Sequence, residues 1–338
     1  MITDYAVQFN HKLNIGVATI VFNWIIRKCA SHWSYDGKIT KLNILTYHRV
    51  GESYSAKNPK SIYWDLFKQQ IKWLNKYFTV LPLPLALELQ ARNELPPRAV
   101  CITIDDGYRD SYDFIYKTLL DEGITGAFFI STQGLIKGGL WDEEIYAAIF
   151  NAPDEVTELY LQGKLFDISS FEKRVDVRYQ LVESTKYLPL KQREAAVESI
   201  KQQTQFNKTI DKFLSAEQIK EMHASGMTIG AHTHSHPILN KESNSVALLE
   251  IKQSKEILEN IIEQQVEFFA YPNGKYEQDF NAQHVEMVKS LGFKAAFSTD
   301  WGILSDQKSE GYKIKRFTPW DETELRFALR LALNYRKK

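Results

Sequence analysis

A chain of 338 residues with 44% hydrophobic and 13% aromatic content can bury a large core, and its length suits one elaborated domain such as an α/β barrel. Lys plus Arg equals Asp plus Glu at 42 each, so the formal net charge is zero and the basic field that dominates nucleic-acid affinity is missing. With only Cys29 and Cys101 the chain can build neither a disulfide framework nor a cysteine zinc site, so any metal must be held by histidine and carboxylate.

The first apolar run, "NIGVATIVFNWII" at 14–26, is followed by Arg27 and Lys28. It is shorter than the roughly 20 apolar residues of a spanning helix. The opening Met1, Ile2, Thr3, Asp4 lacks the positive start of a secretory signal, and no Ala-x-Ala cleavage site follows. Residues 1–40 are therefore expected to form a helical extension that either packs on the body of the protein or lies on a membrane surface. Trp24 and the basic residues beside it suit the second arrangement for residues 14–28. Without a signal, the protein is expected on the cytoplasmic side, and in the second arrangement at the inner face of the membrane.

Further along, short apolar runs bounded by turn residues or charge read as buried parallel strands: "LNILTY" (42–47), "AVCITI" (99–104), "TGAFFI" (125–130), "MTIGAH" (227–232), "VEFFAY" (266–271) and "FKAAFS" (293–298). Helical patterns alternate with them at 111–123, 215–226, 245–262 and 282–292, three of which end in a glycine placed to cap the helix. Strand then helix, repeated this often, predicts a parallel sheet closed into a barrel over residues 41–338. A long helical stretch from about 140 to 214 breaks the rhythm and is expected to be an insertion between two barrel strands.

In such folds chemistry collects at the carboxyl ends of the strands. "AVCITI" runs into Asp105, Asp106 and Gly107, "LNILTY" into His48, "MTIGAH" into "HTHSHP", and "VEFFAY" into "PNG". Asp-Asp-Gly is also a common turn. A turn, however, does not need two carboxylates at the end of a buried strand, where unpaired charge is costly. A cation, or a division into one metal-binding carboxylate and one base, accounts for both.

Three histidines, His232, His234 and His236, stand at alternate positions in a chain with eight in all. An extended segment puts all three on one face, whereas a turn brings His232 and His236 together and points His234 elsewhere. Thr233, Ser235 and Pro237 indicate that the strand has ended, which favours His232 and His236. Two imidazoles and one aspartate suit a catalytic zinc with open positions, and the same ligands accept iron, cobalt or nickel. With a second carboxylate to take a proton, this set predicts metal-assisted hydrolysis of an amide or ester.

"TIDDGY" (103–108), "HTHSHP" (232–237) and "FAYPNGKY" (269–276), in this order, resemble the signature of the polysaccharide deacetylase family, the NodB-homology or family 4 carbohydrate esterases, over about residues 42–320. "LTYHRV" (45–50) resembles a feature of one branch of that family, including enzymes acting on poly-N-acetylglucosamine. The resemblance implies a distorted (β/α)7 barrel. It further implies that Asp105 is the general base, that Asp106, His232 and His236 hold the metal, and that the Asn273 N–H stabilises the oxyanion. His234 falls at a variable position.

The chain departs from the common pattern twice. "IKRFTPWDE" (314–322) has no histidine to serve as general acid, so His48 is the candidate by resemblance to the permuted branch. The position of the arginine that orients the catalytic aspartate is Ala270 here, and Arg316 is the candidate replacement. Among the aromatic residues near strand ends or loops (Tyr47, Tyr108, Trp141, Tyr271, Trp301 and Trp320), Tyr271 and Trp301 are the expected sugar platforms. Asp300 either supports the site or caps the chain. The expected activity is metal-dependent N-deacetylation of an amino sugar in a bacterial surface polysaccharide, its lipid-linked precursor or a related glycoconjugate. The rivals are removal of another acyl group, formyl or O-acetyl, and a catalytically silent carbohydrate-binding protein. The retained Asp105 argues against silence, because binding alone needs no base.

Overall fold

Runs that are apolar at every position must be covered on both faces, as strands of a parallel sheet are. The computed structural model describes residues 21–59 and 61–337. It forms seven parallel strands: β1 (Asn43–Tyr47), β2 (Ala99–Ile104), β3 (Ala127–Ile130), β4 (Thr228–Ala231), β5 (Phe268–Ala270), β6 (Ala295–Trp301) and β7 (Ile314–Arg316). They are hydrogen-bonded in chain order and every pairing is parallel. The ring closes where the Thr46 N–H donates to the Phe317 carbonyl at 3.0 Å and the Phe317 N–H donates to that of Ile44 at 2.7 Å. The result is the expected distorted seven-stranded barrel, irregular at β6, where the register shifts between Phe297 and Trp301.

Period-two alternation sorts the side chains. Ile44, Cys101, Ala127, Phe129, Phe268, Ala270, Ala295, Phe297 and Ile314 form one buried cluster with Leu83, Ala86 and Leu87 of the helix Leu83–Ala91. That cluster fills the barrel, with the helix closing its amino-terminal end. The alternate positions, such as Leu45, Ile102, Phe128, Ile229 and Phe269, join the larger cluster beneath the surrounding helices. Extending the inward series to the carboxyl ends brings Thr103 of β2, Asp105 just after it, His232 after β4 and Arg316 of β7 to one mouth.

Two elements were too short to show a period in the sequence, β7 itself and Thr79–Val80, which pairs with the start of β2. The insertion was expected to be helical throughout. It contains the helices Trp141–Phe150, Phe171–Lys186 and Leu190–Gln203, but also an antiparallel hairpin, Glu158–Leu161 with Lys164–Asp167. Both turn residues of the hairpin are left-handed, Gln162 at φ 51° and Gly163 at φ 80°, the geometry that matches strand twist in tight hairpins.

Residues 21–33 are helical, with Ile26 and Ala30 buried and Trp24 and Ile25 exposed. The remainder of the expected 14–28 segment lies outside the described residues. No described helix is long and apolar enough to cross a membrane.

Gly230 faces the barrel interior on β4, where an added Cβ would lie 2.5 Å from a Phe129 ring carbon and 3.1 Å from the Phe268 carbonyl oxygen. Gly230→Ala is expected to lower the unfolding free energy by about 1–3 kcal/mol through overpacking, read as a lower urea midpoint with an unchanged slope. An unchanged midpoint would show that the barrel interior has room here.

Candidate active site

Asp105 directly follows β2, completely buried, with its N–H donating to the Tyr47 carbonyl at 2.9 Å. The chain then turns sharply. Asp106 is left-handed at φ 81° and Gly107 stands at φ 100°, where a side chain would strike Ile130 and Phe213. This turn swings the two carboxylates apart, so that adjacent residues take different partners.

Arg316 takes the first. Its Nη1 and Nη2 donate to the two Asp105 oxygens at 2.7 and 2.6 Å, Nη1 also reaches Thr103 Oγ1 at 3.1 Å, and Nε donates to the Ser298 carbonyl at 2.8 Å. Both side chains are fully buried. Burial pushes the Asp105 carboxyl up, but the charges of Arg316 and then His232, with the Arg316 hydrogen bonds, more than offset it and hold the group below its ordinary range. Removing one partner of such a pair strands a buried charge, typically at a cost of about 3–5 kcal/mol.

The histidines take the second. Asp106 Oδ1 lies 3.5 Å from His232 Nε2 and 3.4 Å from His236 Nε2, and the three ligand atoms all fall within 4.8 Å of one another. His232 Nδ1 is 2.7 Å from the Ala270 carbonyl, an acceptor, so Nδ1 carries the proton and Nε2 offers its lone pair. Burial first, then the neighbouring His232, pushes the His236 imidazole down to about 3, so it stands neutral at ordinary pH. Burial raises the Asp106 carboxyl, but the surrounding imidazoles of His232, His48 and His236 more than offset it and hold the group well below the ordinary range. A carboxylate and two imidazoles whose Nε2 atoms converge on it at this spacing fit a divalent cation.

His236 reaches this position through a turn with two left-handed residues, Thr233 at φ 64° and His236 at φ 56°. Such conformations persist only where the surroundings impose them. Arg193, buried in the helix Leu190–Gln203 of the insertion, donates to the Ser235 and His236 carbonyls at 2.6 and 2.8 Å. Glu250 accepts the Ser235 N–H and hydroxyl, each at 2.7 Å. The sequence offered no sign of either brace, because both lie far from the motif. His234 turns away from the ligands, with Nδ1 2.9 Å from Thr132 Oγ1.

His48 stands at the mouth, its side chain 44% exposed and Nε2 3.9 Å from Asp105 Oδ2. Beside it Arg49, which sequence reasoning passed over, bonds Asp110 at 2.8 Å and Glu143 of the insertion at 2.6 Å, and lies over the Tyr108 ring. Arg49, Asp110 and Glu143 border a cavity of about 430 Å³ that is also lined by Tyr63, Tyr146 and Arg178. Asn273 is left-handed at φ 56° in the turn after β5, and its carbonyl is held by the Thr299 hydroxyl. Asp300 accepts the Tyr276 N–H at 3.1 Å and so ties that turn to β6.

Neither expected aromatic platform lies open at the mouth. Tyr271 is wholly buried, stacked on Phe280 at 3.6 Å with its hydroxyl donating to the Tyr312 carbonyl, so no face is left for a sugar. Trp301 is half exposed, but it sits against the C-terminal helix Glu324–Asn334, its indole N–H donating to Asn334 at 2.9 Å and its ring covered by Arg330 and Lys337.

Residues 92–296, more than half of the chain, match the family model described as polysaccharide deacetylase. The chain belongs to the polysaccharide deacetylase family. Deacetylases of this family are metal-dependent hydrolases of the amide bonds of acetylated sugars, and the Asp106, His232 and His236 cluster is where this one can hold an ion. YxkH of Bacillus subtilis (strain 168), provisionally named a polysaccharide deacetylase, is 24% identical over 277 residues, covering 81% of this chain and 70% of its own. Among solved structures, the Streptococcus pyogenes deacetylase PplD, in complex with acetate, superposes with a TM-score of 0.56 at 20% identity, over 83% of this deacetylase and 92% of that chain. IcaB from Ammonifex degensii gives 0.55 at 19% identity, over 86% and 97%. Both place the barrel fold beyond question.

Replacing His236 by alanine should weaken zinc binding at least about 100-fold, beyond the 10–100-fold typical of losing an outer partner, whereas His234→Ala should leave it unchanged. Competition titration against a chromophoric chelator reads both, and equal losses would put His234 among the ligands.

Proposed function

We propose that this deacetylase removes the N-acetyl group from an N-acetylated amino sugar of a bacterial surface polysaccharide, or of its lipid-linked precursor, with Asp105 as base. The observation that carries the reading is the division of the Asp105–Asp106 pair. One carboxylate is held ionised by Arg316, and its neighbour is aimed at the Nε2 atoms of two imidazoles.

Asp106, His232 and His236 would hold a divalent cation, zinc by the donor set, with cobalt, nickel or iron as substitutes. Bound there, such an ion polarises the acetamide carbonyl and makes a nearby water more acidic. Asp105 accepts the proton as that water attacks. Its low proton affinity suits a base that must be ionised before the substrate arrives, and the bidentate Arg316 fixes the direction of its free lone pairs. The Asn273 N–H, in its left-handed turn, serves the developing oxyanion. His48, exposed at the mouth and close to Asp105, is placed to give a proton to the departing amine. The polar cavity beyond Arg49 gives the flanking sugars of a polymer room next to the reacting one. Contact with a membrane through residues 14–28 would suit a lipid-linked substrate.

Asp105→Asn should keep the metal and lose acetate release from N-acetylglucosamine oligomers by about 10²–10⁴-fold, the usual contribution of a positioned base. Acetate assays on zinc-reconstituted wild type and variant, with bound metal quantified in both, test this. Undiminished release by the variant would remove Asp105 as base. Metal-loaded wild type that releases no acetate, but frees formate or cleaves an O-acetyl sugar, would reassign the acyl group.

A further inference from the structure

The chain as a whole is electrically neutral, yet its two terminal helices are not. Residues 21–33 contain Arg27 and Lys28 and no acidic residue, and residues 324–337 contain Arg326, Arg330, Arg336 and Lys337 against Glu324 alone. Glu324 is already bonded by Lys76, and Asp321, just ahead of the helix, is buried against Arg330. Exposed Glu322 sits at the front end only.

The same two helices expose apolar side chains that the core does not use. Leu325, Leu329 and Leu333 recur every fourth residue, so they lie along one face of the helix Glu324–Asn334, and all three are exposed. Val21, Trp24 and Ile25 are exposed on the helix 21–33, at 50%, 60% and 44%. The helices lie side by side. The Tyr77 hydroxyl is within hydrogen-bond reach of both Asn23 and Glu324, and Arg336 lies 5.4 Å over the Trp33 ring. Cations accompany the apolar residues of both helices, with Lys28 over the Trp24 ring and Lys337, just after the C-terminal helix, over the ring of Trp301.

We infer that these paired terminal helices form a docking face for an anionic bilayer surface. An apolar strip with a basic rim and almost no exposed acid complements a leaflet that presents acyl chains beneath negative headgroups. A tryptophan at the edge of the strip suits the headgroup level. No described helix is long and apolar enough to cross a membrane. The inference does not depend on the deacetylase chemistry, and it extends the membrane contact from the 14–28 segment to the C-terminal helix.

The test is flotation of the full-length protein with phosphatidylcholine vesicles, with and without an equal part of phosphatidylglycerol. Wild type should float with the anionic vesicles only, and high salt should release it. Leu329→Glu with Leu333→Glu, and separately Lys28→Glu with Arg336→Glu, should each weaken binding at least about tenfold, with circular dichroism and thermal midpoint unchanged. Folded charge-reversed protein that floats as well as wild type would overturn the inference. So would wild type that ignores anionic vesicles, including the case in which it sediments as a dimer that Leu329→Glu dissociates, which would assign the face to a second copy.

Discussion

The buried pair of Arg316 and Asp105 ties the architecture of this protein to its chemistry. One guanidinium spends its hydrogen bonds on the carbonyl of Ser298 in β6, the hydroxyl of Thr103 in β2 and both oxygens of Asp105, while itself belonging to β7. It can do so only if the last strand returns to the first, which the bonds between Phe317 and residues 44 and 46 accomplish. Barrel closure and an ionised Asp105 are therefore one event. A carboxylate this deeply buried would otherwise take up a proton, and a carboxylic acid cannot draw a proton from water.

The second carboxylate extends the same logic. Two adjacent aspartates at a buried strand end would repel each other if both faced the same way. The left-handed turn at Asp106 and Gly107 separates them, giving one an arginine and the other two imidazoles. The imidazoles in turn are oriented, His232 by the Ala270 carbonyl and His236 by a turn that Arg193 and Glu250 hold in place. The insertion thus belongs to the site. Its helix Leu190–Gln203 carries the arginine that fixes the histidine loop, and its helix Trp141–Phe150 carries Glu143, which fixes Arg49 beside His48.

Much of this was legible in the sequence, for identifiable physical reasons. Six of the seven strands announce themselves because a strand covered on both faces is apolar throughout, and the cluster able to hold an ion announces itself because histidines and paired aspartates gather at strand ends. The seventh strand is three residues long and carries no period, so Arg316 could be named only as a candidate. Arg193 and Glu250 act on a loop at least 14 residues away in the chain, through contacts no local pattern encodes. Aromatic residues misled the reading in the other direction. A tyrosine at a strand end is equally compatible with a sugar platform and with core packing, and in Tyr271 the stack on Phe280 decides for the core. Trp301 follows a shift in register that carries the end of β6 toward the C-terminal helix.

The central claim, that Arg316 keeps Asp105 ionised for its work as a base, is tested most directly by the pH dependence of kcat/KM for acetate release. The comparison is between zinc-loaded wild type and Arg316→Gln, with the fold and bound metal of the variant verified. The folded-state pKa of Asp105 is lowered, so activity that depends on its charge should persist to acidic pH in wild type, and the acid limb should move to higher pH when the guanidinium is gone. An acid limb that stays in place while only the rate falls would contradict the account and leave Arg316 as a structural brace.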